Sequence, residues 1–354
     1  MKLGLGLYRD LLNKENFKFA KQAGATYIVA HLVDYFKGKN PSLSRGNNEG
    51  WGTLQKEDED WTLDNLIRLR MEVENHKLKL AAIENFNPAH WHDILLNGPK
   101  KLEQMEFIKN LIRNIGKAGI PIIGYNFSIA GVWGWSRGPV ARGGAVSVKF
   151  NKEEIDIDSP IPKGMVWNMV YDASQMNEYL PPVSEQEIWE RLEEFLKIIV
   201  PVAEEAGVKL AAHPDDPPVD RLRQTARLVN QPWKYKKLVS LIDSPSNALE
   251  YCLGSVQEMS EGDLYDSLSY HAENDNIAYI HFRNVKGKVP DYQEVFVDEG
   301  DIDMLKVLKI LKRHKYQGMI IPDHTPEMSC AAPWHSGKAY ALGYMKGLLD
   351  SLDK

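Results

Sequence analysis

Short apolar runs rich in β-branched residues recur along the chain, and amphipathic stretches of helical period lie between several of them. The runs predict strands at Leu3–Tyr8, Thr26–Val33, Leu78–Phe86, Ile120–Ser128, Val208–His213, Leu249–Leu253, Ile277–Arg283 and Gly318–Asp323. Helices are expected at Lys14–Ala23, Thr62–His76, Lys100–Ala118, Glu185–Ala206, Arg221–Leu228, Asp263–Glu273, Asp303–His314 and Gly337–Leu352. In the fourth, Ile188, Leu192, Phe195, Leu196 and Ile199 repeat every three or four positions, the stripe by which a helix covers a sheet. Gly24, Gly119, Gly207 and Gly318 stand where a helix gives way to the next strand, as a left-handed C-cap prefers.

Strand-then-helix units in this order predict an α/β fold, a single TIM (β/α)8 barrel over residues 1–354. A doubly wound open sheet would carry a Gly-rich phosphate turn after its first strand, and none is present. Two segments exceed the usual loop length, Asp34–Asp60 after strand two and Ile129–Ser184 after strand four. Both fall on the C-terminal face of a barrel, where long loops serve as lids, substrate walls or oligomer contacts.

The 354 residues are 43% hydrophobic and 26% charged, enough apolar side chain for a core without disulfides. Two cysteines, Cys252 and Cys330, fit a reducing compartment, and the cytoplasm is the expected location. The N-terminal MKLGLGLYRD lacks the longer apolar region of a secretory signal, and no apolar run approaches the roughly 20 residues that span a bilayer. A net charge of −6 without a basic stripe argues against nucleic acid and anionic membrane as partners. A small-molecule substrate and a homo-oligomer are the expected partners.

Candidate chemistry emerges once the strands are placed. His213 ends strand five, Cys252 strand six, His281 lies near the tip of strand seven, and Asp323 ends strand eight. In a barrel these tips are neighbours on the catalytic face. Two imidazoles, a thiolate and a carboxylate make a shell for a divalent metal; four protein ligands leave room for substrate only at a five- or six-coordinate ion, which favours Mn²⁺, with Fe²⁺ or Co²⁺ as alternatives. Taken singly, each histidine reads more often as a hydrogen-bonded polar residue, and a free cysteine as a small buried hydrophobe; it is their coincidence at four consecutive strand tips that points to a metal.

HPDDPP, the Cys252 strand, HFRNV and PDH, with IENF, HDILLNGP, IRNIGKAGIPIIGYNF, WSR and EGDIDM, resemble the mannonate dehydratase family over most of the chain. The resemblance implies a TIM barrel with Mn²⁺ on His213, Cys252, His281 and Asp323. It also implies loss of water from D-mannonate to give 2-keto-3-deoxy-D-gluconate. Family members carry an active-site tyrosine after the last strand; here TPEMSCAAPWHSGKAYALGYMKGL offers His335 or a displaced Tyr340.

Dehydrating an aldonic acid removes a proton beside a carboxylate and expels a hydroxyl, so a cation, a base and an acid are required. Arg283, two residues beyond His281, is placed to clamp a carboxylate, or to form a rim salt bridge. His324 is the preferred proton-transfer residue, with His335 in reserve; a ligand-orienting role is the alternative for His324. Asp216 and its neighbour Asp215, Asn284, Arg137 and Glu84 are candidates for substrate hydroxyls or carboxylate, or for turn and rim contacts. A metal-dependent sugar isomerase or epimerase on the same barrel is the alternative activity, and a sugar-acid sensor a third.

Overall fold

The structure is a computed structural model and describes residues 1–35 and 58–352. Among them eight parallel strands close a barrel: β1 (Lys2–Leu7), β2 (Tyr27–His31), β3 (Lys79–Glu84), β4 (Ile122–Tyr125), β5 (Lys209–Ala212), β6 (Asn247–Cys252), β7 (Ile277–His281) and β8 (Met319–Ile321). Each pairs with its neighbours in sequence and β8 returns to β1, so all eight runs read as strands fall where expected. The outer helices are α1 (Lys14–Gln22), α2 (Leu63–Asn75), α3 (Lys101–Lys117), α4 (Glu185–Ala206), α5 (Pro232–Leu241), α6 (Leu264–Glu273), α7 (Met304–Arg313) and α8 (Pro333–Leu352).

Local chemistry sets the helix limits. α4 begins at a reciprocal Ser184–Glu187 capping box and ends at Gly207, in the left-handed conformation at φ 68°. Its apolar stripe is buried, and Phe195 meets Phe86, Trp91, Tyr125 and Phe127. Gly24 and Gly119 also have positive φ, but Gly318 does not: Lys315 takes the left-handed position after α7. Gly318 is needed because a Cβ would run into the Tyr316 ring.

Two expectations are corrected. Arg221–Leu228 is not a helix; Arg221–Leu222 and Thr225–Ala226 form a tight antiparallel hairpin, and the helix of this unit is α5. The segment after β4 is not a plain loop. Ser136–Ala141 and Ala145–Asn151 form a hairpin that joins a second hairpin, Asn284–Lys288 and Asp291–Val295, in a four-stranded antiparallel sheet. The apolar pattern of the chain does not announce that second hairpin, which follows β7. Most of the long segment Asp34–Asp60 lies outside the described residues.

The barrel interior explains where the polar residues stand. Ala82, Ala211, Ala248, Tyr279 and Ile321 belong to one buried apolar cluster. Two residues further along each strand, on the same side of the pleat, come Glu84, His213, Glu250, His281 and Asp323. A small-residue layer thus carries a polar layer on its C-terminal side.

Candidate active site

The polar layer, with Cys252 two residues beyond Glu250, gathers the four strand-tip residues. Donor atoms of His213, Cys252 and His281 all lie within 4.8 Å of one another. Register fixes this, since Cys252 pairs with His281 across β6 and β7, and His281 with Ile321 across β7 and β8. Asp323 joins from the end of β8, with Oδ2 3.3 Å from His281 Nδ1.

Both imidazoles are oriented from behind. His213 Nδ1 donates to the Pro214 carbonyl at 2.6 Å, leaving Nε2 turned away from the chain. His281 Nε2 lies 3.1 Å from Glu250 Oε1 and 3.3 Å from Glu84 Oε2, so its Nδ1 is the atom facing Asp323. That Nδ1 is buried and off the hydrogen-bond axis of Asp323, with no aligned partner. The carboxyl groups behind His281 need Gly124, where a Cβ would collide with Glu250 Oε2. Glu84, Glu250 and His281 are themselves within 4.8 Å. Burial and the Glu84 charge push Glu250 up to about 8, so this trio shares protons.

Electrostatics favour a thiolate. Burial pushes Cys252 up, but Arg283, His213 and His281 outweigh it and hold the thiol at about 5. The Ser255 backbone N–H also points at Sγ, at 3.5 Å. Burial alone would lower His213; its bond to Cys252 and the Glu250 charge raise it to about 9. Burial opposes ionisation of Asp323, yet His281, His324 and Arg283 hold it well below the usual carboxylate range.

Arg283 lines the floor of the pocket but is held beneath this cluster. It is 3% exposed, and its guanidinium meets Asp216, Glu258 at 2.6 Å, Ser255 Oγ at 3.0 Å, Asp323 at 3.2 Å and Glu294 at 3.3 Å. The expectation of a substrate clamp is therefore corrected: its donor edges are already turned to buried carboxylates. Asp216 accepts from Arg283, from Tyr292 OH at 2.5 Å, from Ser255 Oγ at 2.8 Å and from Trp135 Nε1 at 3.2 Å. It lines the pocket as a held group. Asp215 is paired with buried Arg227 and accepts from the Leu228 and Val229 amides.

Three further expectations are corrected. His335 projects from α8 toward α1, where Nε2 meets Asn16 Oδ1 at 2.9 Å and the ring packs on Phe19. Arg137 bonds Glu327 at 2.8 Å in the upper sheet, outside the pocket lining. Asn284 is buried and spends its amide on Val297, Ile302 and Val285 backbone groups. Tyr340 is likewise remote, beside Phe296 and Arg142.

His324 does line the pocket, as does Glu84. The opposite wall is Tyr8, His31 and Tyr35, with His31 Nδ1 3.0 Å from Tyr35 OH. The insertion contributes Val132, Trp135 and Trp167. Sequence reasoning missed Tyr8 and His31, although both stand at strand tips by the rule that selected the other four. Glu250, two residues before Cys252, was open to the same alternation argument. Glu294 acts through the four-stranded sheet, which no local signal announced, whereas Trp135 belongs to the WSR run of the segment expected to wall the pocket.

A family model described as D-mannonate dehydratase (UxuA) matches residues 17–354. The chain belongs to this family. Mannonate dehydratase of Streptococcus pneumoniae (strain 70585) is 34% identical over 276 residues, 75% of this chain and 74% of that protein. The enzyme of Geobacillus thermodenitrificans (strain NG80-2) is 30% identical over 325 residues, covering 83% and 85%. The crystal structure of mannonate dehydratase from Streptococcus suis serotype 2 superposes with a TM-score of 0.76 at 28% identity, over 99% of this chain and 93% of that one. A xylose isomerase domain protein from Planctomyces limnophilus, at 11% identity and a TM-score of 0.58, shares the fold. Family membership makes the chain a dehydratase, a carbon–oxygen lyase.

Proposed function

We propose that this dehydratase converts D-mannonate to 2-keto-3-deoxy-D-gluconate with a divalent cation, Mn²⁺ before Fe²⁺ or Co²⁺, on His213, Cys252, His281 and Asp323. The observation that carries the metal assignment is the donor set: two imidazoles with their outer nitrogens engaged, a depressed thiol and an ionised carboxylate converging from four successive strands. Cys252 favours its thiolate and His213 and His281 their protonated rings, and a bound cation would take the place of those protons. The Glu84–Glu250–His281 trio is the weaker site, because Glu250 keeps its proton up to about pH 8.

A bound cation supplies Lewis-acid stabilisation of negative charge developing beside the substrate carboxylate. The chain's own residues do the rest. Arg283 adds buried positive charge beside Asp323. His324 takes or returns the proton: the C2–H and C3–OH bonds break, water leaves, and the enol becomes the 2-keto product. Trp135 and Trp167 wall the pocket against bulk water.

Both cysteines are free thiols, and we place the enzyme in the cytoplasm on that account. Among the described residues no helix is long and apolar enough to cross a membrane. The deciding experiment incubates Mn²⁺-loaded protein with a panel of aldonic acids and reads 2-keto-3-deoxy product. D-mannonate is expected to turn over fastest; an epimer formed without loss of water would instead establish epimerase chemistry.

A further inference from the structure

The hairpin after β7 has no role in the ligand set, yet it delivers two buried polar side chains to the site. Tyr292 and Glu294, two residues apart on Asp291–Val295, share one side of the strand and are each 2% exposed. Tyr292 holds Asp216, as described. The two carboxylate oxygens of Glu294 lie 2.9 and 3.0 Å from His324 Nδ1. A carboxylate oxygen can only accept from the ring, so Nδ1 is the donor and Nε2 is left on the pocket side, 3.7 Å from Asp323 Oδ1. The Trp135 ring packs edge-on against the same imidazole at 5.3 Å.

We propose that Glu294 is a positioning residue that fixes the tautomer and ring orientation of His324, so that Nε2 is the atom presented to substrate. The inference rests on the reading of His324 as the proton-transfer group. Burial makes the contact directional: a carboxylate at this depth needs partners, and His324 is the nearest one. The other, Arg283 Nη1 at 3.3 Å, already meets Glu258 at 2.6 Å. Position is held from outside, since the strand pairs Tyr292 with Phe150 and Gln293 with Lys149 of the insertion hairpin. The insertion thereby supports the proton-transfer residue as well as walling the pocket.

The test compares Glu294→Leu, Glu294→Gln and His324→Asn, singly and combined, in Mn²⁺-saturated enzyme with D-mannonate. Glu294→Leu is expected to lower kcat about 10- to 100-fold, the scale for losing an orienting partner, while KM and bound manganese stay unchanged. Glu294→Gln keeps an acceptor oxygen and is expected to recover most of the loss. In the His324→Asn background neither substitution is expected to slow the enzyme further, because residues acting as one unit are non-additive. A full additional loss in that background overturns the proposal and assigns Glu294 to Arg283, as does an effect confined to KM or metal content. If Glu294→Leu does not fold, the near-isosteric Gln variant decides by the same double-variant comparison. Normal turnover of His324→Asn alone overturns the acid–base reading itself, an outcome read without touching Glu294.

Discussion

His281 Nδ1 lies 3.3 Å from Asp323 Oδ2, buried and off the hydrogen-bond axis, while the opposite ring nitrogen is held between two carboxyl groups. A buried nitrogen so aimed, beside a thiolate and a second imidazole, is what a cation site requires of its ligands before the cation arrives.

Removing one of these donors is therefore expected to empty the site without unfolding the barrel. His281→Ala and Cys252→Ala should lose manganese and activity together, with the circular dichroism spectrum retained. Elemental analysis after gel filtration checks this; full occupancy in either variant would remove the basis of the four-residue assignment.

The two carboxyls behind His281 should behave differently. Burial opposes ionisation of Glu84, but His31 and His281 outweigh it and draw Glu84 down, whereas burial and Glu84 hold Glu250 up to about 8. Glu250→Gln copies the protonated state and is expected to leave manganese affinity near the parent value at pH 7. Glu84→Gln removes a working charge and should weaken affinity by about 10- to 100-fold. Titration of apo-protein with Mn²⁺ reads both, and equal losses would refute the division of roles.

Arg283 gives a prediction that separates the buried hub from the clamp read in the sequence. Arg283→Met leaves Asp216, Glu258 and Glu294 facing one another without their shared cation. Loss of one partner of a buried ion pair costs on the order of 3–5 kcal/mol. Denaturant unfolding is expected to show a loss of that size. A normal midpoint with a raised KM would restore the clamp.

How far the site could be read in advance depended on whether its residues stood on barrel strands. Alternation and strand ends placed His213, Cys252, His281 and Asp323 on one face because a barrel's geometry is common to all its strands. Glu294 is positioned by pairing between two hairpins more than 130 residues apart in the chain, and nothing local encodes that pairing. The false helix at Arg221–Leu228 has a similar cause. Arg223 and Gln224 occupy left-handed conformations, at φ 50° and 61°, that these residue types do not advertise. The buried Arg227–Asp215 pair fixes the following residues. The real helix was marked by Pro232 at its first turn. His335 looked catalytic by proximity in sequence, but α8 turns its side chain outward to Asn16.

For that reason His335→Leu is expected to leave kcat and KM unchanged. Its cost should be stability alone, about 1 kcal/mol for the lost hydrogen bond. Steady-state kinetics decide, and a large fall in kcat would return the residue to the catalytic set.

His271, on α6 and remote from the metal ligands, should make stability depend on pH. Its ring is fully buried among Tyr235, Tyr251 and Tyr270, and Asn276 Nδ2 donates to Nδ1 at 3.2 Å. Burial, aided by Lys236, lowers its pKa to about 4 from an ordinary 6.5. Between those values the unfolded chain binds a proton that the native protein refuses, so the free energy of unfolding falls as pH falls. The slope approaches about 1.4 kcal/mol per pH unit and accumulates to on the order of 3 kcal/mol near pH 4. Above about pH 6.5 both states are neutral at this position and the penalty is absent. Other groups titrate in the same window, so the informative quantity is the difference between the parent and His271→Leu, which cannot take up the proton. At pH 7.5 the variant is expected to be no more stable than the parent, because it loses the Asn276 contact. At pH 4.5 the gap should close or reverse. Urea midpoints measured at half-unit intervals from pH 4.5 to 7.5 give the curve, and a difference that does not change with pH would show that native His271 accepts its proton as readily as the unfolded chain does.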